Sequence, residues 1–286
     1  MSFPFQKGFI PGSEGCFEQN FMIDATLEEA RRNGNEVAVA WLDLEDAFGS
    51  IPHHHISRTL QEMSMPNALI RLIEDMYSGV STAVEAAEGT SRAISIQRGV
   101  RQGNPLSPLL FNLALEPILR AALCKRSTTG YRLGETTISA LAYADDLVII
   151  GSSAGALHQL LHAVSAAATW SGLKFKARKC ASLHLVHTWN RRKTQGSEFS
   201  IQGNQMRILG EGEQYKYLGA PKGWRINTTP TETINDIRRD LRSISASELP
   251  HGPMATPGCH PHLPASPSRL PPPHNGFTEI LIREMD

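Results

Sequence analysis

Short, wholly apolar runs alternate along the chain with longer stretches whose apolar residues recur every three to four positions. Val37-Ala38-Val39-Ala40-Trp41-Leu42 is continuous, of strand length, and stops abruptly at Asp43, the pattern of a strand buried on both faces. Proline then opens two helices in succession. One follows Pro52, and the other follows Pro66 with Leu69, Ile70, Leu72, Ile73 and Met76 at helical spacing. Residues 80–97 alternate in polarity and break at Glu88-Gly89, which predicts a hairpin. A long helix is expected over 106–123, with Pro105 and Pro108 in its first turn and a kink at Pro117. Residues 138–143 and 147–150 read as two apolar strands joined across Ala144-Asp145-Asp146. Residues 154–170 form an Ala-rich helix with Leu157, Leu160, Leu161 and Val164 on one face. Strands are expected near 173–187, 199–202, 206–209 and 215–218, and a last helix over 231–245. The order is that of an α+β fold, with hairpins and helices in place of a repeated βαβ unit.

Composition changes this picture mainly at the end. Nine of the 18 prolines fall between Pro250 and Pro273, so residues 250–286 are expected to be a Pro-rich, disordered tail. Elsewhere 286 residues at 41% hydrophobic allow one large domain or two ordinary ones and argue against disorder of the whole chain. The four cysteines, Cys16, Cys124, Cys180 and Cys259, contain no C-x-x-C pair, which suggests neither a disulfide framework nor a four-cysteine zinc site. An intracellular setting, cytoplasm or nucleus, is expected. The start lacks the basic-then-apolar order of a signal peptide, and no run of about 18 apolar residues is present to span a membrane. His53-His54-His55, the His158/His162 pair and the Cys180, His184, His187 group each lack the ligands that would complete a metal site.

The sharpest feature is acidic. Asp43 stands where a buried strand emerges, and Asp145-Asp146 stands at the turn between two apolar strands. Carboxylates gathered at the rim of a hydrophobic sheet repel one another unless a cation neutralises them. Hard oxygen ligands of this kind suit Mg²⁺, which keeps several waters and commonly takes one or two carboxylates plus a phosphate. Taken alone, Asp43 reads as a helix cap and Asp145-Asp146 as an ordinary turn.

Their surroundings reverse that reading. Leu42-Asp43-Leu44-Glu45-Asp46-Ala47-Phe48-Gly49-Ser50-Ile51-Pro52-His53 is followed by Arg98-Gly99-Val100-Arg101-Gln102-Gly103-Asn104-Pro105-Leu106-Ser107-Pro108, and then by Ala142-Tyr143-Ala144-Asp145-Asp146-Leu147. These blocks, in this order, resemble the central motifs of reverse transcriptases, above all those of non-long-terminal-repeat retrotransposons. Gln6-Lys7-Gly8-Phe9 with Gly15-Cys16, Gly172-Leu173 with Lys179-Cys180, and Tyr217-Leu218-Gly219 extend the resemblance from Gln6 to Gly219.

The resemblance implies a right-hand polymerase palm, an antiparallel sheet packed on helices. Residues 1–219 would hold partial fingers and palm, and 220–249 a partial thumb entry with one helix. It implies an RNA-directed DNA polymerase that extends a primer 3′-hydroxyl with deoxynucleotides, with an RNA template and a DNA primer as partners. Asp43, Asp145 and Asp146 would bind two Mg²⁺ ions, with Mn²⁺ as a substitute. Phe48 would lie under the nucleotide sugar and exclude a 2′-hydroxyl, Arg101, Gln102 and Gly103 would contact the nucleotide, and Tyr143 the primer end. Lys179 would protonate the departing pyrophosphate, and Tyr217, Leu218 and Gly219 would form the primer grip. Gly49, Asn104 and Lys176 depart from the commonest pattern, and none of them is a proposed metal ligand. With the fingers strands and a full thumb missing, a truncated enzyme is expected; the alternative is an inactive remnant or a domesticated RNA-binding module that retains the palm.

The balanced total of 28 Lys+Arg against 28 Asp+Glu hides a polarised chain. Residues 1–170 carry 12 basic against 18 acidic residues, whereas 171–225 carry 11 against 3. An acidic half followed by a basic stretch suits a protein that holds cations in one place and phosphates in another.

Overall fold

The computed structural model describes residues 6–226, apart from Glu88, Gln102, Lys125, Trp189 and Asn190, together with Arg239. The chain divides into two compact units, 1–229 and 230–286, and the described fold is that of the first. The expected helix over 231–245 and the Pro-rich tail lie outside the described residues.

Helix α1 (Gly15–Asn33) leads into β1 (Val37–Leu42), which is buried at all six positions. A single turn, α2 (Ala47–Ser50), precedes α3 (His53–Glu62) and α4 (Asn67–Tyr77), the two helices that Pro52 and Pro66 open. β2 (Ser81–Thr82) pairs with β5 (Ile94–Ser95) and β3 (Glu85–Ala86) with β4 (Gly89–Thr90), which is the expected hairpin. Helix α5 (Ser107–Leu123) carries Pro117 in its interior, and α6 (Arg126–Thr129) follows it. β6 (Tyr131–Leu133) pairs with β7 (Thr136–Ile138), and β8 (Ala140–Tyr143) with β9 (Asp146–Gly151). After α7 (Ala154–Ser171) come β10 (Ala181–Thr188) and β11 (Arg191–Thr194). Last come the hairpin β12 (Ser200–Ile201) with β13 (Asn204–Gln205), β14 (Arg207–Ile208), and the hairpin β15 (Gln214–Tyr217) with β16 (Ala220–Gly223).

The central sheet runs β11-β10-β1-β9-β8, antiparallel throughout, with β14 added parallel to β10. Alternation along β1 divides the core in two. Ala38, Ala40 and Leu42 face α3, α4, α5 and α7 through Ile56, Ile70, Leu115 and Leu160. Val37, Val39 and Trp41, on the same face as Val148 of β9 and Leu183 of β10, pack on α1 and the β15–β16 hairpin through Ile23 and Tyr217. Both faces are therefore dry, which is why the run 37–42 has no polar position. Among the described residues no helix is long and apolar enough to cross a membrane.

Two expectations need correction, and one helix was not expected. Helix α1 has no counterpart in the sequence reading, because its buried stripe of Gly15, Gln19, Ile23, Thr26, Leu27 and Ala30 is half polar and shows little hydrophobic period. The strand expected over 138–143 is two strands, since the chain changes sheet at Ser139, whose carbonyl accepts from the Ile150 N–H at 2.9 Å. The strand expected from 173 begins only at Ala181. Phe175 makes a single bridge to Leu44, and residues 176–180 turn tightly as Lys179 and Cys180 donate back to the Lys176 carbonyl.

Candidate active site

Antiparallel register brings the acidic residues together. The β1–β9 ladder ends at Leu42↔Leu147, so the next facing positions are Asp43 and Asp146. Asp146 also pairs with Tyr143 across the two-residue turn Ala144-Asp145. All three carboxylates are partly buried at one end of the central strands. Burial, then the charges of Asp145 and Asp43, push the Asp146 carboxyl up to about 6. Lys179 lies in the tight turn before β10, just beyond the Trp41↔Ala181 end of the β1–β10 ladder, and its Nζ lies 3.7 Å from Asp43 Oδ2. The Asp43 backbone is fixed on both sides, its N–H donating to Cys180 Sγ at 3.4 Å and its carbonyl accepting from Lys176 N–H at 2.8 Å. Burial pushes the Cys180 thiol up to about 11, so it stays neutral beside Asp43.

Phe48 sits five residues beyond Asp43 and is half-buried. Its ring stacks on Phe111 of α5 (centroids 4.2 Å apart, 14° between planes) and meets Phe9 edge-on at 5.9 Å. The Arg101 block reaches it through the backbone: Val100 N–H donates to Phe48 O and Gly99 N–H to Ile51 O, both at 2.8 Å. Gly49 beside Phe48 is one of the departures from the family pattern. A Cβ there would fall 2.3 Å from Asp46 Oδ2, and Gly99, at φ 90°, already packs on the Gly49 backbone. Asn104, a second departure, keeps a capping role, its Oδ1 accepting from Leu106 N–H at 2.9 Å. Lys176 is exposed and serves Asp43 through its backbone alone. Arg101 and Gly103 are exposed, and Gly103 has φ 82°. Gln102 lies outside the described residues.

Tyr143 hydrogen-bonds Cys16 at the start of α1, a contact that raises its hydroxyl pKa. Tyr217 is buried, while Leu218 and Gly219 form the positive-φ turn of the β15–β16 hairpin, with Gly219 exposed. Tyr215 stacks on Trp41 at 5.5 Å, and its hydroxyl is raised by burial and by the charges of Asp43 and Asp146. The hairpin therefore lies under the acidic cluster. The Asn20 amide of α1 donates to Leu218 O at 3.4 Å, and Lys222 Nζ of β16 reaches Asp24 Oδ2 at 2.7 Å.

Sequence reasoning missed Tyr215, Gln19 and Gln6. Gln19 donates to Ala142 O at 3.1 Å, and Gln6 bonds the Ala144 peptide. Gln6 stood within a motif block, but nothing in the sequence tied it to a turn 138 residues away. Two of the histidines are held by internal hydrogen bonds. His55 Nε2 donates to Ala114 O at 2.8 Å, and His184 bridges Ser197 Oγ and Glu36 Oε1.

Among the described residues no three acidic, histidine or cysteine side chains close into a cage for a metal. The donor chemistry still fits a hard cation. Of the three partly buried carboxylates Asp43 pairs with Lys179, while burial and then the charges of Asp145 and Asp43 raise the Asp146 carboxyl. Such a set suits an ion bound by one or two carboxylates and completed by water and phosphate.

The chain is similar to known proteins over most of its length. A family model described as reverse transcriptase (RNA-dependent DNA polymerase) matches residues 2–221. The chain is 32% identical over 247 residues to a retrovirus-related Pol polyprotein from a type-1 retrotransposable element R2 of Nasonia vitripennis, covering 85% of this chain and 23% of that protein. It is 29% identical over 250 residues to the corresponding polyprotein of the R2DM element of Drosophila melanogaster, covering 86% and 23%. It thus spans about a quarter of the length of these curated relatives. Among solved structures, a telomerase from Candida tropicalis aligns over 59% of this chain and 29% of its own, at 11% identity and a TM-score of 0.47.

Proposed function

The chain belongs to the reverse transcriptase family, with its relatives among non-long-terminal-repeat retrotransposons, and on that premise we propose that it is an RNA-directed DNA polymerase domain. The observation that carries the reading is the facing of Asp43 and Asp146 across adjacent strands, with Asp145 in the turn beside them. Residues 1–219 are assigned to palm and partial fingers, and 220–249 to the thumb entry.

Asp43, Asp145 and Asp146 would hold divalent ions, two Mg²⁺ in the working enzyme and Mn²⁺ as a substitute. Bound there, such ions supply Lewis acidity toward the attacking hydroxyl and neutralise charge on the phosphates. In the reaction the primer 3′-oxygen bonds to the α-phosphorus of a deoxynucleotide. The bond to the pyrophosphate oxygen breaks, and the hydroxyl proton is lost. Most of what the chain's own residues contribute is position and charge.

Lys179 stands at the edge of the cluster, where its ammonium can turn from Asp43 to the departing phosphates and donate a proton. Phe48, backed by Phe111, forms a rigid wall against a 2′-hydroxyl and so favours deoxynucleotides. Arg101 offers an exposed guanidinium to the triphosphate, Gly103 lets the backbone approach it, and Gln102 is assigned to the nucleotide or its template partner. Tyr143, held by Cys16, borders the primer end, and the Tyr217-Leu218-Gly219 turn supports the primer strand.

Primer extension on an RNA template with Mg²⁺ and deoxynucleotides, comparing the chain with Asp145→Asn, tests the reading. Extension by the parent that is lost in the variant is the expected result. No extension by either, with RNA still bound, would instead establish an RNA-binding remnant.

A further inference from the structure

The turn that carries Asp145 is held by one buried side chain from the far end of the chain. Ala144, at the crown of the turn, has φ 52°, a left-handed conformation that residues with a Cβ adopt at a cost. It is buried, so its peptide N–H and C=O need partners within the protein. The carboxamide of Gln6, itself 1% exposed, serves both. Gln6 Oε1 accepts from Ala144 N–H at 2.7 Å, and Gln6 Nε2 donates to Ala144 O at 3.0 Å. Oε1 also accepts from Gly8 N–H at 2.8 Å, and the Gly8 carbonyl is tied to α5 by Asn112 Nδ2 at 2.9 Å. A side chain on Gly8 would fall 2.3 Å from Ala144 N, so the two backbones are in direct contact.

A carboxamide combines an acceptor and a donor on one planar group, whereas a carboxylate cannot donate and an ammonium cannot accept. Lys7 N–H and Gln19 Nε2 donate to Ala142 O within the strand, whereas Gln6 bonds the peptide of the turn itself. We propose that Gln6 is a positioning residue for the divalent-ion site: it locks Ala144 in its left-handed conformation and thereby sets the direction of the Asp145 and Asp146 carboxylates. The proposal rests on reading Asp43, Asp145 and Asp146 as the metal-binding carboxylates.

Mn²⁺ binding to the full chain, followed by electron paramagnetic resonance, reads the site without requiring polymerisation. Gln6→Met keeps the side-chain length and removes all three bonds. It should weaken Mn²⁺ binding roughly tenfold, the lower end of losses seen when residues supporting metal ligands are changed, with RNA affinity unchanged within about twofold. Adding Ala144→Gly, which makes the left-handed turn free of strain, should recover much of that loss. If Gln6→Met does not fold, Gln6→Asn, one methylene too short to reach the turn, should show the same weakening. Mn²⁺ affinity equal to the parent in the Gln6 variant, where Asp145→Asn abolishes binding, overturns the clamp alone. Binding untouched by Asp145→Asn overturns the metal-site reading, and the clamp with it. A Gln6 variant that loses RNA and Mn²⁺ affinity together, without recovery by glycine, marks a purely structural residue.

Discussion

Asp43 and Asp146 face each other on neighbouring antiparallel strands, one step beyond the Leu42–Leu147 pair that ends the apolar ladder. The same register that buries the leucines on one face thus places two like charges together at the sheet's end. Such a pair stores repulsion that a cation relieves.

The first expectation is a pH effect on the metal-free protein. The Asp146 carboxyl sits at about 6 when folded, against about 3.9 in an unfolded chain. The folded state therefore binds the proton more tightly, and this contribution to stability is lost as pH rises from about 4 through 6. Solvent still reaches the group, which holds the effect to about 1–2 kcal/mol. Burial of His55, whose pKa is lowered, acts in the opposite direction on acidification. The difference in melting between the parent and Asp146→Asn isolates the aspartate. The variant should be the more stable at pH 7.5 and the advantage should vanish near pH 4, with Mg²⁺ restoring the parent at pH 7.5.

Phe48 is braced by Phe111 and Phe9 and is not free to swing. Phe48→Ala should raise incorporation of ribonucleotides relative to deoxynucleotides by about tenfold or more, a difference of about 1.4 kcal/mol. It should also destabilise the fold by about 1–3 kcal/mol through lost stacking and burial. Single-nucleotide incorporation kinetics and a denaturant melt separate the two effects. Unchanged sugar selectivity would reduce Phe48 to a packing residue.

Lys179 makes an exposed ion pair with Asp43, and such pairs contribute about 0–1 kcal/mol. Lys179→Met should leave the melting temperature within a degree or two, yet lower the single-turnover extension rate by about 10²-fold if the ammonium donates a proton. Its alkaline limb in the pH–rate profile should disappear with it. A rate near that of the parent would leave only the surface ion pair.

The junction of β16 with α1 should respond asymmetrically. Lys222 is 3% exposed in its side chain, whereas its partner Asp24 is 63% exposed. Asp24→Ala strands a buried ammonium beside the Asn20 carbonyl at 3.4 Å, while Lys222→Met leaves a carboxylate that water can solvate. The aspartate variant should be the less stable by about 2 kcal/mol in urea unfolding. Equal losses would mean that the ammonium finds another partner.

Legibility followed burial type. Where both faces of an element are apolar, as in β1, or where proline starts a helix, as at Pro52 and Pro66, the residues announce the structure. Helix α1 was invisible because it buries Gln19 and Thr26 along with Ile23 and Leu27, and a mixed stripe carries no clear period. The alternation of basic and apolar residues from Leu173 predicts a strand through 176–180, whereas the Lys179 and Cys180 N–H groups return to the Lys176 and Ala177 carbonyls and close a turn.

By itself the sequence singled out candidates for the chemistry. Residue type and the ends of apolar runs marked Asp43, Asp145 and Asp146, and the resemblance of the blocks added Phe48 and Lys179. Tertiary structure alone decided how they meet. It set Asp43 against Asp146 by strand register and against Lys179 by the turn before β10, backed Phe48 with Phe111, slid the Tyr215 hairpin beneath the carboxylates, and brought Gln6 to Ala144. The reason is physical. Apolar periodicity is a property of neighbouring residues and survives in one dimension. Register, and a hydrogen bond spanning 138 residues, exist only once the intervening core has packed and excluded the water that would otherwise satisfy those groups.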